Sequence, residues 1–393
     1  MKESETQKNE KKKITKIKTF SIPFDLEKFE EKTTTDTSKN SEEDIIKEAF
    51  KYHSQGNTSE ATKYYQQLIN QGCNDFRVFS NYGVILKNLG KLKEAEISTR
   101  KAIELKPDFA EAHSNLGTIL KDLGKLKEAE FYQRKAIEFK SGFAAAHNNL
   151  GNILKDLGKF KEAEFEYQKS HDINFIQNID SKFKEDCLKN ISLSKSQFRQ
   201  DLFALSQLNF KKNGFFVEFG SCDGLVGSNS YLLEKFFNWN GILAEPAISW
   251  HTKLRENRSV NIETKCVWKS SDDEILFYEP FHRQLATIDI YSKNEQKLDK
   301  RGKRYKVKTI SLLDLLERNN APKFIDYLSI DTEGSEYEIL NAFDFQKYKF
   351  KVITCEHNFT NTREKIYNLL INNGYKRKLK LISKVDDWYV LDE

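Results

Sequence analysis

A period of 34 residues dominates the first half of the chain and restricts the folds open to it. The segments KNLGKLKEAE, KDLGKLKEAE and KDLGKFKEAE are near copies of one another. Small residues are required where paired helices touch, and the leucines and isoleucines between them fill the seam, so the pattern predicts stacked helix pairs. The residues that recur at this 34-residue spacing are Gly56, Gly90, Gly124 and Gly158; Ala61, Ala95, Ala129 and Ala163; and Asn81, Asn115 and Asn149.

This pattern resembles the tetratricopeptide repeat, which has one helix pair in each 34-residue unit. The resemblance implies about four units over residues 42–177, stacked into a short right-handed solenoid with a concave face. Asn81, Asn115 and Asn149 recur on the first helix of three units. An amide offers both a donor and an acceptor, so these side chains either grip an extended peptide of a protein partner or form hydrogen bonds within the stack. The repeats are therefore expected to dock or space other proteins.

The rest of the chain divides by composition. Residues 1–41 are rich in Lys, Glu, Thr and Ser and are expected to be a disordered lead-in with one short docking patch at residues 20–29. Residues 178–212 are predicted to form a connector and the first helix of a second domain, which occupies residues 213–393. The predicted fold is thus a two-domain α+α/β chain, with an N-terminal helical solenoid and a C-terminal Rossmann-like sheet.

Bulk composition argues against several classes of protein. The net charge of +5 over 393 residues is small, so nothing demands a nucleic-acid partner. Apolar runs are far shorter than a membrane span and no signal peptide is visible, so the cytoplasm is the expected location. The five cysteines have no C-x-x-C spacing, which argues against a disulfide framework or a zinc site.

The second domain is organised around residues 215–230, FFVEFGSCDGLVGSNS. The apolar start indicates a buried strand, and the residues after Ser230 have helical spacing. A glycine turn between a strand and a helix lets a ligand contact backbone N–H groups, because no side chain intervenes. The dinucleotide fingerprint G-x-G-x-x-G is missing. Instead Glu218 precedes Gly220, and an acid at that place repels phosphate but can hold a cation.

A second acid supports a nucleotide site. Glu245, followed by Pro246, ends the next apolar stretch, about twenty residues after Gly224. A carboxylate there can accept hydrogen bonds from both ribose hydroxyls. A ribose with a cationic, phosphate-free tail describes S-adenosylmethionine. The alternative is an ordinary α/β turn with two incidental acids.

Polar residues also follow later predicted strands. Residues 324–330 run into Asp331, and residues 351–355 run into Glu356 and His357. Residues 261–268 are predicted to form a third strand and residues 275–310 an antiparallel insertion, after which Ser311 caps a helix. Open α/β sheets bind ligands at the carboxyl ends of their strands, so the site is expected there.

With these residues in place, residues 195–391 resemble FkbM-type S-adenosylmethionine-dependent methyltransferases. The resemblance rests on SQFRQDLF, GFFVEFGSCDG, GILAEP, IDYLSIDTEGSEYEIL, CEHN and DDWYV, of which IDTEGSE is the most specific. It implies a class I methyltransferase sheet and O-methylation of a hydroxyl on a sugar, a glycan or a related small molecule. Asp331 is expected to face the cofactor amine or the acceptor. The implied cofactor-binding residues are Glu218, Gly220, Ser221, Asp223, Gly224, Glu245, Pro246 and Asp331.

Methyl transfer from a sulfonium is an in-line displacement, so the protein mainly aligns the acceptor and excludes water. An alcohol acceptor needs a base for its proton, and His357 is the candidate, with Asp331 and Glu356 as further catalytic candidates. No metal site is assigned, although Glu333, Glu336 and Glu356 offer an alternative in which a divalent cation lowers the pKa of the acceptor.

Two other functions stay open at this point. An NAD-dependent oxidoreductase would keep the role of Glu245 but lacks the G-x-G turn. In a non-catalytic adaptor, the repeats would bind peptides and the second domain would be degenerate.

Overall fold

The computed structural model describes residues 41–292 and 302–392. The expected docking patch at residues 20–29 lies outside these ranges, as does the rest of the expected lead-in up to residue 40. Contacts divide the chain into two compact units, one ending at Ile173 and one beginning at Asn174.

Four packed helix pairs form the described part of the first unit, as the 34-residue period predicts. Gly90, after the first helix of the second pair, has a φ of +78°, a conformation that favours glycine and ends the helix. The predicted tetratricopeptide solenoid is therefore confirmed. The helices are α1 Glu42–Ser54, α2 Thr58–Asn70, α3 Phe76–Asn88, α4 Leu92–Leu105, α5 Ala110–Asp122, α6 Leu126–Phe139, α7 Ala144–Asp156 and α8 Phe160–Asn178.

The repeated asparagines lie inside the helix stack. Asn81, Asn115 and Asn149 are at most 1% exposed. Asn115 Nδ2 donates to Ser80 Oγ over 3.3 Å, and Asn149 Nδ2 donates over 3.4 Å to Ser114 Oγ, so each amide bonds a serine of the preceding repeat. The structure thus favours hydrogen bonding within the stack over the gripping of a peptide, because these side chains have almost no exposed surface.

Consecutive repeats are also joined by ion pairs that recur with the same period. Such pairs contribute only about 0–1 kcal/mol each near the surface, but their recurrence gives the junctions between the second and third and between the third and fourth repeats the same polar contacts. The pairs are Lys87–Asp122 (3.1 Å) and Lys121–Asp156 (2.8 Å) between first helices, and Glu96–Lys125 and Glu130–Lys159 (2.9 Å each) between second helices.

Replacing one buried asparagine tests the internal role of these amides. Asn115→Ala is expected to lower the free energy of unfolding by about 1–3 kcal/mol, because it removes a donor to Ser80 and leaves a cavity. Urea denaturation measures the change. Asn88→Ala, at an exposed position on α3, is the control and is expected to change stability by less than about 0.5 kcal/mol. Equal costs for the two variants would contradict the buried role.

A seven-stranded sheet forms the centre of the second unit, in the order β10-β11-β9-β8-β1-β2-β3. The strands from β3 to β9 in this order are parallel, and β11 is antiparallel to both of its neighbours. The predicted Rossmann-like class I sheet is confirmed. The strands of this sheet are β1 Phe215–Phe219, β2 Asn240–Ala244, β3 Asn261–Glu263, β8 Phe324–Ile330, β9 Lys349–Glu356, β10 Tyr375–Lys378 and β11 Asp386–Leu391.

Apolar side chains on both faces of this sheet are covered. Phe216 belongs to one hydrophobic cluster, while Val217 and Phe219 belong to the other, as expected for a strand with a two-residue period. Glu218 therefore lies on the same face as Phe216. The helices of this unit that follow α8 are α9 Lys184–Asn190, α10 Gln200–Gln207, α11 Tyr231–Phe237, α12 His251–Asn257, α13 Leu312–Arg318, α14 Glu336–Asn341 and α15 Arg363–Asn372.

A four-stranded sheet of order β4-β7-β5-β6 holds the predicted insertion. The expectation of one strand over residues 261–268 was wrong. The backbone N–H of Lys265 donates to Glu263 Oε1 over 2.9 Å, and the chain passes there from β3 in the large sheet to β4 in the small one. The Ser311 cap is confirmed, since its side chain accepts a hydrogen bond from Asp314 N. The strands are β4 Cys266–Trp268, β5 Glu274–Glu279, β6 Thr287–Ile288 and β7 Lys303–Ser311.

Within the described ranges, no helix combines the length and the apolar character that crossing a membrane requires.

Candidate active site

The glycine turn lies at the point where the strand order reverses, between β2 and β8 on either side of β1. Gly220 has a φ of +71°, and a Cβ atom there would overlap the backbone oxygen of Asp331, which follows β8. Cys222 has a φ of +49°, a conformation that costs a non-glycine residue energy and occurs most often at functional sites. The turn therefore packs so closely against the end of β8 that glycine is required.

Glu245 links the same turn to the end of β2. Its side chain is 3% exposed. Its Oε2 atom accepts a hydrogen bond from the backbone N–H of Cys222, and its Oε1 atom accepts one from that of Ala247, both at 2.8 Å. Burial raises the pKa of Glu245 to about 7. Each carboxylate oxygen keeps a further lone pair, so the group can still accept bonds from a ligand.

Glu218 is held by the loop before α11. Its Oε1 atom accepts from the backbone N–H of Asn229 over 2.8 Å, and its Oε2 atom accepts from the hydroxyls of Ser228 and Ser230. The Arg258 guanidinium lies 3.9 Å from the same carboxylate. These partners give Glu218 the role of fixing the loop, and its predicted contact with a cofactor stays a prediction.

The buried side chain of Arg258 ties this loop to the glycine turn, and nothing in the sequence motifs indicates it. Its Nη1 atom donates to the carbonyl of Gly224 over 3.2 Å and to Ser228 Oγ over 3.0 Å. Its Nη2 atom donates to Ser230 Oγ over 2.8 Å, and its Nε atom pairs with Glu234 at 2.5 Å. Arg258 thereby neutralises two buried acids at once. No local sequence pattern indicates Arg258, because this residue lies more than thirty residues beyond the turn that it supports.

The other predicted residues of the turn have local roles. Asp223 Oδ1 accepts from the backbone N–H groups of Leu225 and Val226, both at 2.9 Å, which closes the turn. Ser221 Oγ is buried and has no hydrogen-bond partner among the described residues. Pro246 follows Glu245 and is half-buried.

Three carboxylates meet at the ends of β8 and β9. One oxygen atom from each of Asp331, Glu333 and Glu356 lies within 4.8 Å of the others. Burial, followed by the nearby Glu333, raises the pKa of Asp331 well above its ordinary value. Burial, followed by the charge of Asp331, raises the pKa of Glu356 to about 12. Two adjacent carboxyl groups in such a setting share a proton rather than ionise together.

Glu336 takes no part in this group, although the sequence suggested it as a possible cation ligand. It is buried, and its Oε1 atom accepts hydrogen bonds of 3.0 Å from the backbone N–H groups of Thr332 and Gly334. It therefore stabilises the turn after β8, and Asp331 stands in its place beside Glu333 and Glu356.

His357 is 3% exposed. Its Nδ1 atom accepts the backbone N–H of Phe359 over 2.9 Å, and its Nε2 atom lies 3.8 Å from Asp387. Asp387 is in turn paired with Arg363 at 2.8 Å and Arg377 at 3.2 Å. Burial lowers the pKa of His357 to about 4, so the ring is neutral at pH 7. These contacts favour a structural role, and catalysis by His357 stays a prediction.

Comparison with known families identifies both halves. Residues 218–385 match the family model described as "Methyltransferase FkbM domain". Residues 47–173 match the model described as "Cilia and flagella-associated protein 70 middle TPR-like domain". Both resemblances drawn from the sequence are thereby confirmed, and the chain joins a tetratricopeptide-like domain to an FkbM methyltransferase domain.

Two of the solved structures to which part of the chain is similar are MamA and YrrB. MamA from Desulfovibrio magneticus RS-1 is 19% identical, with 35% of this chain and 78% of that chain covered and a TM-score of 0.33. YrrB, described as a TPR protein with an unusual peptide-binding site, is 22% identical, with 38% and 75% covered and a TM-score of 0.32. A search of the curated proteins finds no match.

Proposed function

We propose that the second unit is an S-adenosylmethionine-dependent methyltransferase that acts on a hydroxyl of a sugar, a glycan or a related small molecule. The observation that carries the proposal is the meeting of three strand ends at one turn. The backbone N–H of Cys222 donates to Glu245 after β2, and Gly220 lies against the carbonyl of Asp331 after β8. A nucleoside at this switch point would contact main chain and two acids together.

The residues present fit this cofactor. Ser221 Oγ is a buried polar atom without a partner in the described structure, so the turn has hydrogen-bonding capacity that is not used. Glu245 would hold the ribose hydroxyls, and the turn with Asp331 would hold the amino-acid end. The carboxylates of Glu245, Asp331 and Glu356 would balance the positive charge of a sulfonium and an ammonium group. When bound, the cofactor supplies an activated methyl group.

The pair Asp331 and Glu356 is the best placed base for the proton of the acceptor. The two groups hold one proton between them, because burial and mutual repulsion disfavour the doubly ionised state. The remaining carboxylate can accept the proton of a hydroxyl that comes within hydrogen-bond reach. The positive charge of a bound sulfonium and ammonium group would lower the pKa of both groups, so that one carboxylate of the pair stays ionised to accept this proton.

The repeat unit belongs to the same proposal as a module for protein docking. Helical repeats of this kind present extended surfaces, and among the described residues the group of acidic side chains that could hold a metal ion lies in the second unit. The partner and the methyl acceptor would then be brought together on one chain.

Calorimetric titration of the full chain with S-adenosylmethionine tests the proposal. Binding heat is expected, and Glu245→Ala is expected to weaken binding at least ten-fold because the ribose acceptor and the support of Cys222 N are both lost. Glu263→Ala is a matched control, since Glu263 also ends a parallel strand and accepts a backbone N–H two residues later.

Three results of the titration would count against the proposal. Heat with NAD instead of S-adenosylmethionine would favour an oxidoreductase. Heat with neither compound would favour an adaptor. An equal loss of affinity in the Glu245 and Glu263 variants would remove the specific role of Glu245.

A further inference from the structure

Three exposed apolar side chains occupy the same position in three consecutive repeats. Ile97 on α4, Phe131 on α6 and Phe165 on α8 are separated by the 34-residue period. Their exposed fractions are 70%, 54% and 58%. A single exposed apolar residue needs no explanation, but a recurring set forms a patch that usually marks an interaction site. We call these three residues the apolar column.

The helices that carry the apolar column are fixed beside one another. Arg100 on α4 donates to Tyr132 on α6 over 2.9 Å, and Arg134 on α6 pairs with Glu162 on α8 at 3.2 Å. The column is therefore a continuous feature of the repeat stack and not three unrelated positions.

Lysines flank each member of the column one helical turn away on both sides. Residues four apart on a helix share a face, so the lysines and the apolar side chains form one surface. Lys101 and Lys135 on the later side already pair with Glu104 (2.6 Å) and Glu138 (2.9 Å). The lysines on the earlier side, which are exposed and have no ion pair among the described residues, are Lys93, Lys127 and Lys161.

A surface of this chemistry fits a segment that is both apolar and acidic. Residues 20–31 of the same chain, FSIPFDLEKFEE, have this composition. They carry Asp25, Glu27, Glu30 and Glu31 against one lysine, together with the apolar residues Phe20, Ile22, Phe24, Leu26 and Phe29. Opposite charges on the two sides would add specificity to the burial of apolar area.

The stretch that connects residues 20–31 to α1 is long enough for this segment to reach the apolar column. Residues 32–40 can span roughly 30 Å at full extension. Three helix-to-helix steps of about 8–10 Å each separate α1 from α4, which carries the first member of the column.

We propose that residues 20–31 bind the apolar column of the same chain, with their carboxylates opposite Lys93, Lys127 and Lys161. This inference concerns the repeat unit and goes beyond the proposed methyl transfer. The bound segment keeps the column from other proteins, so a partner that uses this surface has to displace the segment first.

Carbodiimide cross-linking of the full chain, read by mass spectrometry, tests the proposal. This reagent joins a carboxylate directly to an amine that touches it. Cross-links from residues 25–31 to Lys93, Lys127 or Lys161 are expected at ten-fold or more above those to the exposed Lys253. The ion pair of Lys87 with Asp122, at 3.1 Å, is the internal positive control.

Serine variants test the apolar part. The triple variant Ile97→Ser, Phe131→Ser and Phe165→Ser is expected to reduce these cross-links at least ten-fold. The double variant Leu89→Ser and Phe160→Ser, at residues 56% and 67% exposed on the same unit, is expected to leave them unchanged. Equal cross-linking to Lys253, no cross-linking, or an unchanged yield in the triple variant would overturn the proposal.

Mixing the chain with an isotope-labelled copy separates contacts within one chain from contacts between chains. The proposal expects cross-linked peptides of uniform label. Peptides of mixed label would assign the segment to a second copy of the chain and would overturn the intramolecular assignment.

Discussion

Gly220→Ala is expected to lower the free energy of unfolding by about 2–6 kcal/mol, from backbone strain and overpacking together. The added Cβ would overlap the backbone oxygen of Asp331, and the φ of +71° is unfavourable for alanine. A backbone oxygen at the end of a buried strand cannot move aside as a flexible side chain does. Urea denaturation measures the stability, and titration with S-adenosylmethionine measures the accompanying loss of binding.

Gly227→Ala provides a matched control in the same segment. Gly227 has a similar φ of +78°, but a Cβ there would meet nothing within 4 Å. Only the conformational cost of about 1–2 kcal/mol is expected. An equal loss of stability in the two variants would show that the close packing of the turn against the end of β8 does not contribute to the cost of Gly220→Ala.

Glu356→Gln is expected to reduce methyl transfer by about 10²–10⁴-fold, the range for loss of a general base, because Asp331 alone has no partner carboxyl group with which to share the proton of the acceptor. The same change is expected to stabilise the free protein. Glu356 and Asp331 are adjacent buried carboxyl groups. Glutamine has nearly the same shape as protonated glutamic acid, but it cannot ionise and therefore never places a second negative charge beside Asp331. An enzyme variant that becomes more stable while it loses activity is typical of a site that holds like charges together.

The gain in stability of Glu356→Gln over the natural protein should increase as pH rises. Burial raises the pKa of Glu356 from 4.5 to about 12, so the folded state binds a proton that the unfolded state has lost. The stability of the natural protein therefore falls as pH rises above about 4.5, by at most about 1.4 kcal/mol per pH unit for one proton. Thermal unfolding of the natural protein and of Glu356→Gln should coincide near pH 5 and separate toward pH 9.

The exposed Glu364→Gln, on α15, serves as the control and should follow the natural protein at every pH. Lower stability of Glu356→Gln across the whole pH range, or full methyl transfer by this variant, would argue against a proton shared between Asp331 and Glu356.

Local patterns predicted the features that depend on near neighbours in the sequence. The 34-residue period was sufficient for the helix pairs, because each repeat packs only against adjacent repeats. The run from Phe215 to the glycine turn predicted β1 and its bend. Asp331 and Glu245 were predicted at one edge of the sheet, because the carboxyl ends of parallel strands meet there.

Contacts between distant segments could not be predicted in this way. Arg258 reaches back to the carbonyl of Gly224, and no local spacing connects them. The proximity of Asp331 to Glu356 and the burial of His357 depend on how β8, β9 and β11 align, which periodicity does not determine. The break between β3 and β4 likewise follows from which sheet each strand joins.

The recurring junction between repeats has an evolutionary consequence. The pair Lys87–Asp122 reappears as Lys121–Asp156, so the third repeat presents the same ion-pairing groups to the neighbours before and after it. Duplication or deletion of this whole 34-residue repeat would recreate these pairs at the new boundary. The array can thus gain or lose a whole unit of 34 residues without losing the ion pairs that join its repeats.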